Sequence, residues 1–443
     1  MWLAVFIGAG DRFAIMRRGS WLKDWLQLAV LAVVVGGLAS YLWWDYRRER
    51  QAIEGLKLAN STVVSQLSPS LPQELAGWLI KQDWLSKPFA EWLLLEVTEI
   101  TVGNADFDDR GMAHLLRFRE LRSLTVERTS ITDAGLESLQ PLVGLRDLFL
   151  DGTRITDAGL RSLQRLDKLQ TLSLDSTGVG DARLESLQSL SQLRVLKLRG
   201  TRVTDAGMKS LKSLSQLREL YLDSTQVGDE GLCELSSLPN LTVLYLYQTP
   251  VTDAGLESLK SLKRLRTLVL DITQVTDAGM KTVATFTELQ KLSLMHNRIT
   301  DAGLESLKPL THLTWLDLYG TRVSDSGMKS LAALSRLEEL KLGATKISDP
   351  GVESLRALRL LKDLSLDKTN ITDEALKSLK LLPHLQSLNL NETQITDAGL
   401  QNLQGAPELE YLWTLDTKVT PAAVARLEAT FPRRSSPVPV AAP

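Results

Sequence analysis

The sequence predicts an α/β solenoid, and three observations carry that prediction. A leucine pattern repeats every 24 residues, an aspartate inside it never slips, and the apolar spacing changes within each unit from alternation to every third residue. Aligned on Leu145, one unit reads L-x-x-L-x-L-x-x-T-x-I-T-D-A-G-L-x-x-L-x-x-L-x-x. The aspartate recurs at Asp133, Asp157, Asp181, Asp205, Asp229, Asp253, Asp277, Asp301, Asp325, Asp349, Asp373 and Asp397. About 14 such units fill residues 97–430. Each unit covers its neighbour's apolar face, so three quarters of the chain is built to present a surface.

Composition narrows the function classes. The 443-residue chain is 44% hydrophobic, enough for a large core, and a solenoid extends that core without adding domains. Its net charge of −2 and the absence of a long basic run give no general attraction to nucleic acid. The single cysteine, Cys233, excludes an internal disulfide framework and a cysteine-based zinc site. No cofactor-binding pattern is present.

Residues 1–24 form an N-terminal segment in which Met16 is an alternative start to Met1. Residues 25–44, from Trp25 to Trp44, contain Gln27 as their one strongly polar side chain. At helical rise they span about 30 Å, the hydrocarbon thickness of a bilayer. Trp21 and Trp25 at one end, and Trp43, Trp44 and Tyr46 at the other, suit an interfacial aromatic belt. A transmembrane helix is therefore expected here. Gly37, Leu38 and Ala39 offer small residues at signal-peptidase spacing, but the apolar run continues through Trp44, which suits an uncleaved anchor. Basic residues flank both sides (Arg12, Arg17, Arg18 and Lys23; Arg47, Arg48, Arg50 and Lys57), and the repeat domain is expected on the extracytoplasmic side. Ala32, Gly36 and Ser40 form a small-residue stripe through which two such helices could associate weakly.

Residues 45–70 read as a juxtamembrane helix followed by a mostly polar linker, Ser61 to Ser70. Residues 71–96 carry Trp78, Trp84, Phe89 and Trp92, an aromatic helical cap for the open end of the repeat core. Residues 431–443 are a Pro-rich tail, expected to be disordered.

Within the unit from Leu145, Leu148 and Leu150 point inward from a short strand, while Asp147, Phe149 and Asp151 point outward. Thr153 follows, its hydroxyl placed to bond the turning backbone. Thr156 is an N-cap, Asp157 sets a carboxylate at the positive helix end, and Leu160, Leu163 and Leu166 are buried by the helix. Gly180 and Gly228 replace the capping Thr as tolerated caps, and Pro421 occupies the favoured first helical position after Thr420. The Gly two residues after the Asp predicts close helix packing rather than positive φ, because Arg183 and Ala375 share its position. Four residues after the Asp, Glu and Lys or Arg alternate (Glu257, Lys281, Glu305, Lys329), a charge pattern expected to favour the stacked register. One unit buries too few aliphatic side chains to offset the entropy of ordering its backbone, so units are stable only when stacked.

These motifs resemble the leucine-rich repeat family. ITDAGLESLQPLVGLRDLFLDGT is similar to the ITDxGL repeats of F-box-associated and of many bacterial members, and the basic-flanked anchor with its Trp-rich cap resembles membrane-anchored bacterial ones. The resemblance implies a right-handed horseshoe with parallel strands on the concave side and helices on the convex side. It also implies binding rather than catalysis. The LPQEL start at Leu71 is followed by too few residues for an F-box, which counts against a ubiquitin-ligase substrate-recognition subunit.

Aromatic residues cluster at the outward strand positions. Phe149, Tyr221, Tyr245, Tyr247, Trp315, Tyr319 and Trp413, with the acids Asp271 and Asp317, are the candidate contacts for a protein or peptide on the concave face. Trp413 and Tyr411 could instead shield the C-terminal end, where Thr414 interrupts the leucine column. A second reading is a structural spacer at the cell envelope. Catalysis is not expected. His114, His296, His312 and His384 lie far apart in repeat register, no nucleophile, phosphate-loop or metal spacing occurs, and Cys233 has no basic neighbour.

Overall fold

A computed structural model describes residues 61–67, 95–116 and 118–430, together with Arg47. The expected transmembrane helix 25–44, most of the cap and the tail lie outside the described residues. Among those described, no helix is long and apolar enough to cross a membrane.

The described chain forms one open sheet in which strand order follows sequence order. β1 (Ser61–Leu67) pairs antiparallel with β2 (Leu95–Val102), and β2 begins a run of 14 parallel strands. From β3 (Ser123–Thr125) onward each strand is three residues long and starts 24 residues after the last, ending at β15 (Tyr411–Trp413). Parallel register places each residue beside its equivalent in the next repeat, as Leu148 beside Leu172. This agrees with the predicted solenoid of about 14 repeats. The polar-linker reading of Ser61 to Ser70 fails over Ser61–Leu67, which is a strand. Its β-branched Thr62, Val63 and Val64 favour extended backbone, and the exposed edge of β2 supplies a template for pairing.

The leucine columns form one continuous core. Leu145, Leu148, Leu150, Ile155, Leu160, Leu163 and Leu166 are all fully buried, and so are their equivalents along the array. Thr153 donates its hydroxyl to the Leu150 carbonyl at 2.6 Å, as predicted, and the same bond recurs at Thr201, Thr225 and Thr249. Asn297 does more: its side chain donates to Leu270 O at 2.7 Å and accepts from Thr273 N at 2.9 Å, crossing into the preceding repeat.

Apolar side chains every third residue suit a 3-10 helix, whose i and i+3 positions eclipse. Asp157–Arg165 is such a helix throughout, whereas Asp229–Leu235 and Asp277–Val283 are α-helical. Thr156 caps the first by accepting from Ala158 N, and Thr420 caps Pro421–Glu428. Gly180 does not cap a helix, because that repeat's helix begins only at Leu184. Arg183 stands there in the packing-glycine position and is too large for the space beside the preceding aspartate.

That space explains the glycine. A Cβ on Gly159 would lie 2.5 Å from Asp133 Oδ1, and one on Gly279 would lie 2.4 Å from Asp253 Oδ1. The repeated aspartate does sit in the first helical turn, but its carboxylate also reaches the next repeat. Asp133 Oδ1 accepts from Thr156 N at 2.8 Å while its Oδ2 accepts from Thr156 Oγ1 at 2.6 Å. Asp253 repeats this bracket on Thr276 with the same two distances.

The alternating Glu and Lys columns do not pair between helices as expected. Glu257 and Glu305 instead meet Lys260 and Lys308, three residues further along the chain, the shorter reach. Their second carboxylate oxygens accept from Thr282 and Ser330 of the following repeat, both at 2.7 Å.

One residue per repeat turns the chain with positive φ: Gly152, Ser176, Gly200, Ser224, Gln248, Ile272 and His296 among them, at 51° to 66°. The turn aims that residue's amide at the next repeat, as Gly152 N to Asp175 O at 2.8 Å and Ile272 N to Met295 O at 2.9 Å.

Candidate functional site on the open sheet face

In most of the three-residue strands the central leucine is buried and its two flanking residues are half exposed, so the sheet offers side-chain columns to solvent. Parallel pairing brings Tyr221 beside Tyr245, their rings 4.7 Å apart and tilted by 30°. Lys197 lies in the same column, its ammonium 5.5 Å from the Tyr221 ring and 5.9 Å from that of Phe149. Lys197 thus spans the gap at Ser173 and joins Phe149 to the tyrosine pair. Such cation–ring contacts are each worth about 0.5–1 kcal/mol at exposed sites.

Tyr221 also donates to Glu219 Oε2 at 2.9 Å. Burial, then this carboxylate, pushes the Tyr221 phenol well above its usual range, and burial raises Tyr245 as well. Both remain neutral hydroxyls at physiological pH. Lys197 and Glu219 escaped the sequence-based choice of contacts. Reading the column in 24-residue steps from Phe149 through 173, 197 and 221 to Tyr245 would have found the lysine.

The other candidates are distributed along the array. Trp315 and Asp317 bracket Leu316 on one strand, and Tyr319 meets the His296 ring edge-on at 5.4 Å. Tyr411 and Trp413 stack at 6.3 Å on the last strand, Tyr411 being 44% exposed. Tyr247 stands beyond its strand, where its amide donates to Asp223.

The acids have internal partners. Asp151 Oδ1 accepts from Asp175 N at 3.0 Å, Asp175 from Arg199 N at 2.8 Å, Asp223 from Tyr247 N at 2.9 Å, and Asp271 from Met295 N at 2.8 Å. Asp317 accepts from Tyr319 N at 2.8 Å. Burial raises the pKa of Asp271 and Asp317, and pushes Asp175 up to about 6. Asp223 is buried and paired with Arg199 Nε at 2.8 Å. These carboxylates close the strand ends by serving amides that the backbone ladder leaves over.

An open parallel array with graded outward columns defines a repeat protein that presents a surface. A family model for a leucine-rich repeat region matches residues 104–350 and 181–434, and the chain belongs to the leucine-rich repeat family. Among solved structures, an internalin from Listeria monocytogenes is similar at TM-score 0.54 and 24% identity, over 69% of this chain and 93% of that one. A leucine-rich repeat protein from Leptospira interrogans is similar at TM-score 0.53 and 18% identity, over 74% of this chain and 94% of that one. At these identities the likeness is one of fold. No curated protein matches the sequence significantly.

Proposed function

We propose that this chain is a membrane-tethered, non-enzymatic interaction module that captures a protein or peptide on its open sheet face. We infer a right-handed horseshoe, the hand that parallel crossovers strongly favour, in which that face is concave. Residues 25–44 supply the tether and the repeat domain lies outside the cytoplasm. The observation that carries the reading is the Phe149–Lys197–Tyr221–Tyr245 cluster, half-exposed rings held in register by neighbouring strands. Half-exposed aromatics on a rigid sheet are efficient anchors, because little side-chain freedom is lost on binding. Trp315, Tyr319 and Trp413 extend the contact, while Asp271 and Asp317 hold the turns beside it.

The test is co-purification of partners from source cells with the wild-type chain, with Tyr245→Ala/Trp315→Ala, and with Lys281→Ala on the helical side. Loss of a partner in the double variant alone supports the reading; unchanged capture refutes it. Protease accessibility of the repeats in intact cells tests the membrane side. The spacer reading has one observation in its favour, the recurrent aspartate bracket. It expects sheet-face variants to be silent and deletion of two whole repeats to be deleterious.

A further inference from the structure

We propose that the strand-start edge of the sheet is a docking site for an acidic peptide segment of the partner. This deepens the reading above, on which it rests, by naming the partner's chemistry. The residue that enters each strand is Arg122, Arg146, Arg194, Arg218 or Arg266 in five of the first seven three-residue strands. All five are exposed. Their backbones are fixed, since Arg122 O accepts from both Arg146 N and Asp147 N, and Arg218 O from Thr242 N and Val243 N. Their guanidinium groups form no ion pair among the described residues, where the ion pairs use other cations.

The opposite edge differs. There the acids are turned onto backbone amides, as Asp151, Asp175, Asp223 and Asp271 are. Nothing comparable employs the arginines. At Arg218 and Arg266 the edge deepens into a cleft of about 590 Å³ lined also by Arg264, Asn240, Thr242, Glu219 and Glu288. Arg264 is steadied there by Asn240 Oδ1 at 2.6 Å, and Glu219 is occupied by the Tyr221 hydroxyl.

From Arg122 to Arg266 is six strand steps, about 29 Å at the usual sheet spacing, or roughly eight to nine residues of extended peptide. The Tyr221 and Tyr245 rings lie three residues along their strands from this edge, about 10 Å away. An acidic segment on the arginines would therefore leave neighbouring apolar side chains over the aromatic cluster. A peptide suits the row better than a nucleic acid, because the chain's net charge of −2 gives no general attraction to nucleic acid and a peptide can seat apolar side chains on the adjacent tyrosines.

The experiment measures fluorescence anisotropy of labelled octaglutamate with the full chain in detergent micelles at low salt. Arg218→Ala/Arg266→Ala is expected to weaken binding by about five- to 25-fold, since each exposed charge pair lost is worth up to about fivefold. Lys281→Ala/Lys329→Ala, with the same charge change on the helical side, should stay within about twofold. Tyr245→Ala/Trp315→Ala should leave octaglutamate binding unchanged, which separates a failure here from a failure of the aromatic site. Circular dichroism of each variant verifies folding, and Arg194→Ala/Arg218→Ala should reproduce the loss. No octaglutamate binding, or equal loss in the arginine and lysine variants, overturns the proposal. Tighter binding of an oligothymidylate of equal charge overturns the peptide assignment in favour of nucleic acid.

Discussion

Asp253→Ala tests what holds one repeat to the next. Asp253 accepts from Thr276 N at 2.8 Å and from Thr276 Oγ1 at 2.6 Å, and both partners belong to the following repeat. Hydrogen bonds to a charged acceptor contribute about 1.5–3 kcal/mol each, and this bracket is only partly buried, so the low end applies. Removing both is expected to destabilise by about 3 kcal/mol. If the aspartate served only as a negative charge at a helix start, the loss would be about 0.3–1 kcal/mol. The assay is urea unfolding followed by far-ultraviolet circular dichroism, with Thr276→Ala and the double variant completing a cycle. Contacting groups in one bracket should couple by about 1 kcal/mol, whereas independent sites add within about 0.5 kcal/mol. Weakening one interface in a linear array should also broaden the transition, because cooperativity passes only between neighbours. A loss below about 1 kcal/mol together with additivity would refute the bracket.

Ile272 is a β-branched residue held at φ 51° and 39% exposed, so Ile272→Gly should raise stability by about 1 kcal/mol, the left-handed strain exceeding the glycine's entropy cost. A lowered urea midpoint would contradict this. Asp175→Asn should leave the bond to Arg199 N intact, as Asn391 makes the equivalent bond to Leu415 N at 2.7 Å. Because burial raises the Asp175 pKa from 3.8 to about 6, the folded state binds more protons in that window. Its contribution to stability is fullest below the unfolded value and is lost as pH rises through about 6. The variant should flatten the stability–pH curve between those values, and an unchanged slope would show that Asp175 does not titrate there.

What periodicity governs was legible in the sequence. The leucine columns, the Thr153 bond and the cap at Thr156 each depend on a residue and its neighbours within one unit. What depends on the adjacent unit was not. The aspartate reads as a helix-end charge because its partner, Thr156 for Asp133, is 23 residues away and already has a capping role. The positive-φ position escaped notice because only Gly152, Gly200 and Gly320 mark it, while Ser, Gln, Ile, His and Lys hold the same conformation elsewhere. Those side chains are tolerated because each amide gains a bond to the next repeat, and the stack imposes the turn. β1 was hidden for a related reason: Ser61–Leu67 is polar enough to pass for a linker until β2 offers an edge.

The acids at the strand ends bear on whether the array recognises something or merely spans a distance. The amide they serve would otherwise lack a partner, so some acceptor must stand near it in each repeat. Asp223 serves the amide of Tyr247, Asp271 that of Met295, Asp175 that of Arg199, and Asp317 that of Tyr319. Tyr247, Met295 and Tyr319 carry large side chains there, whereas Arg199 is itself paired with Asp223, and Asp151 serves another acid, Asp175. An acid thus closes the backbone on behalf of a neighbour that can then vary without structural cost. A spacer has no use for that division, because an Asp or Asn in every repeat would close the edge equally well. Some turn positions thus keep the fold while others, Tyr247 and Met295 among them, can vary.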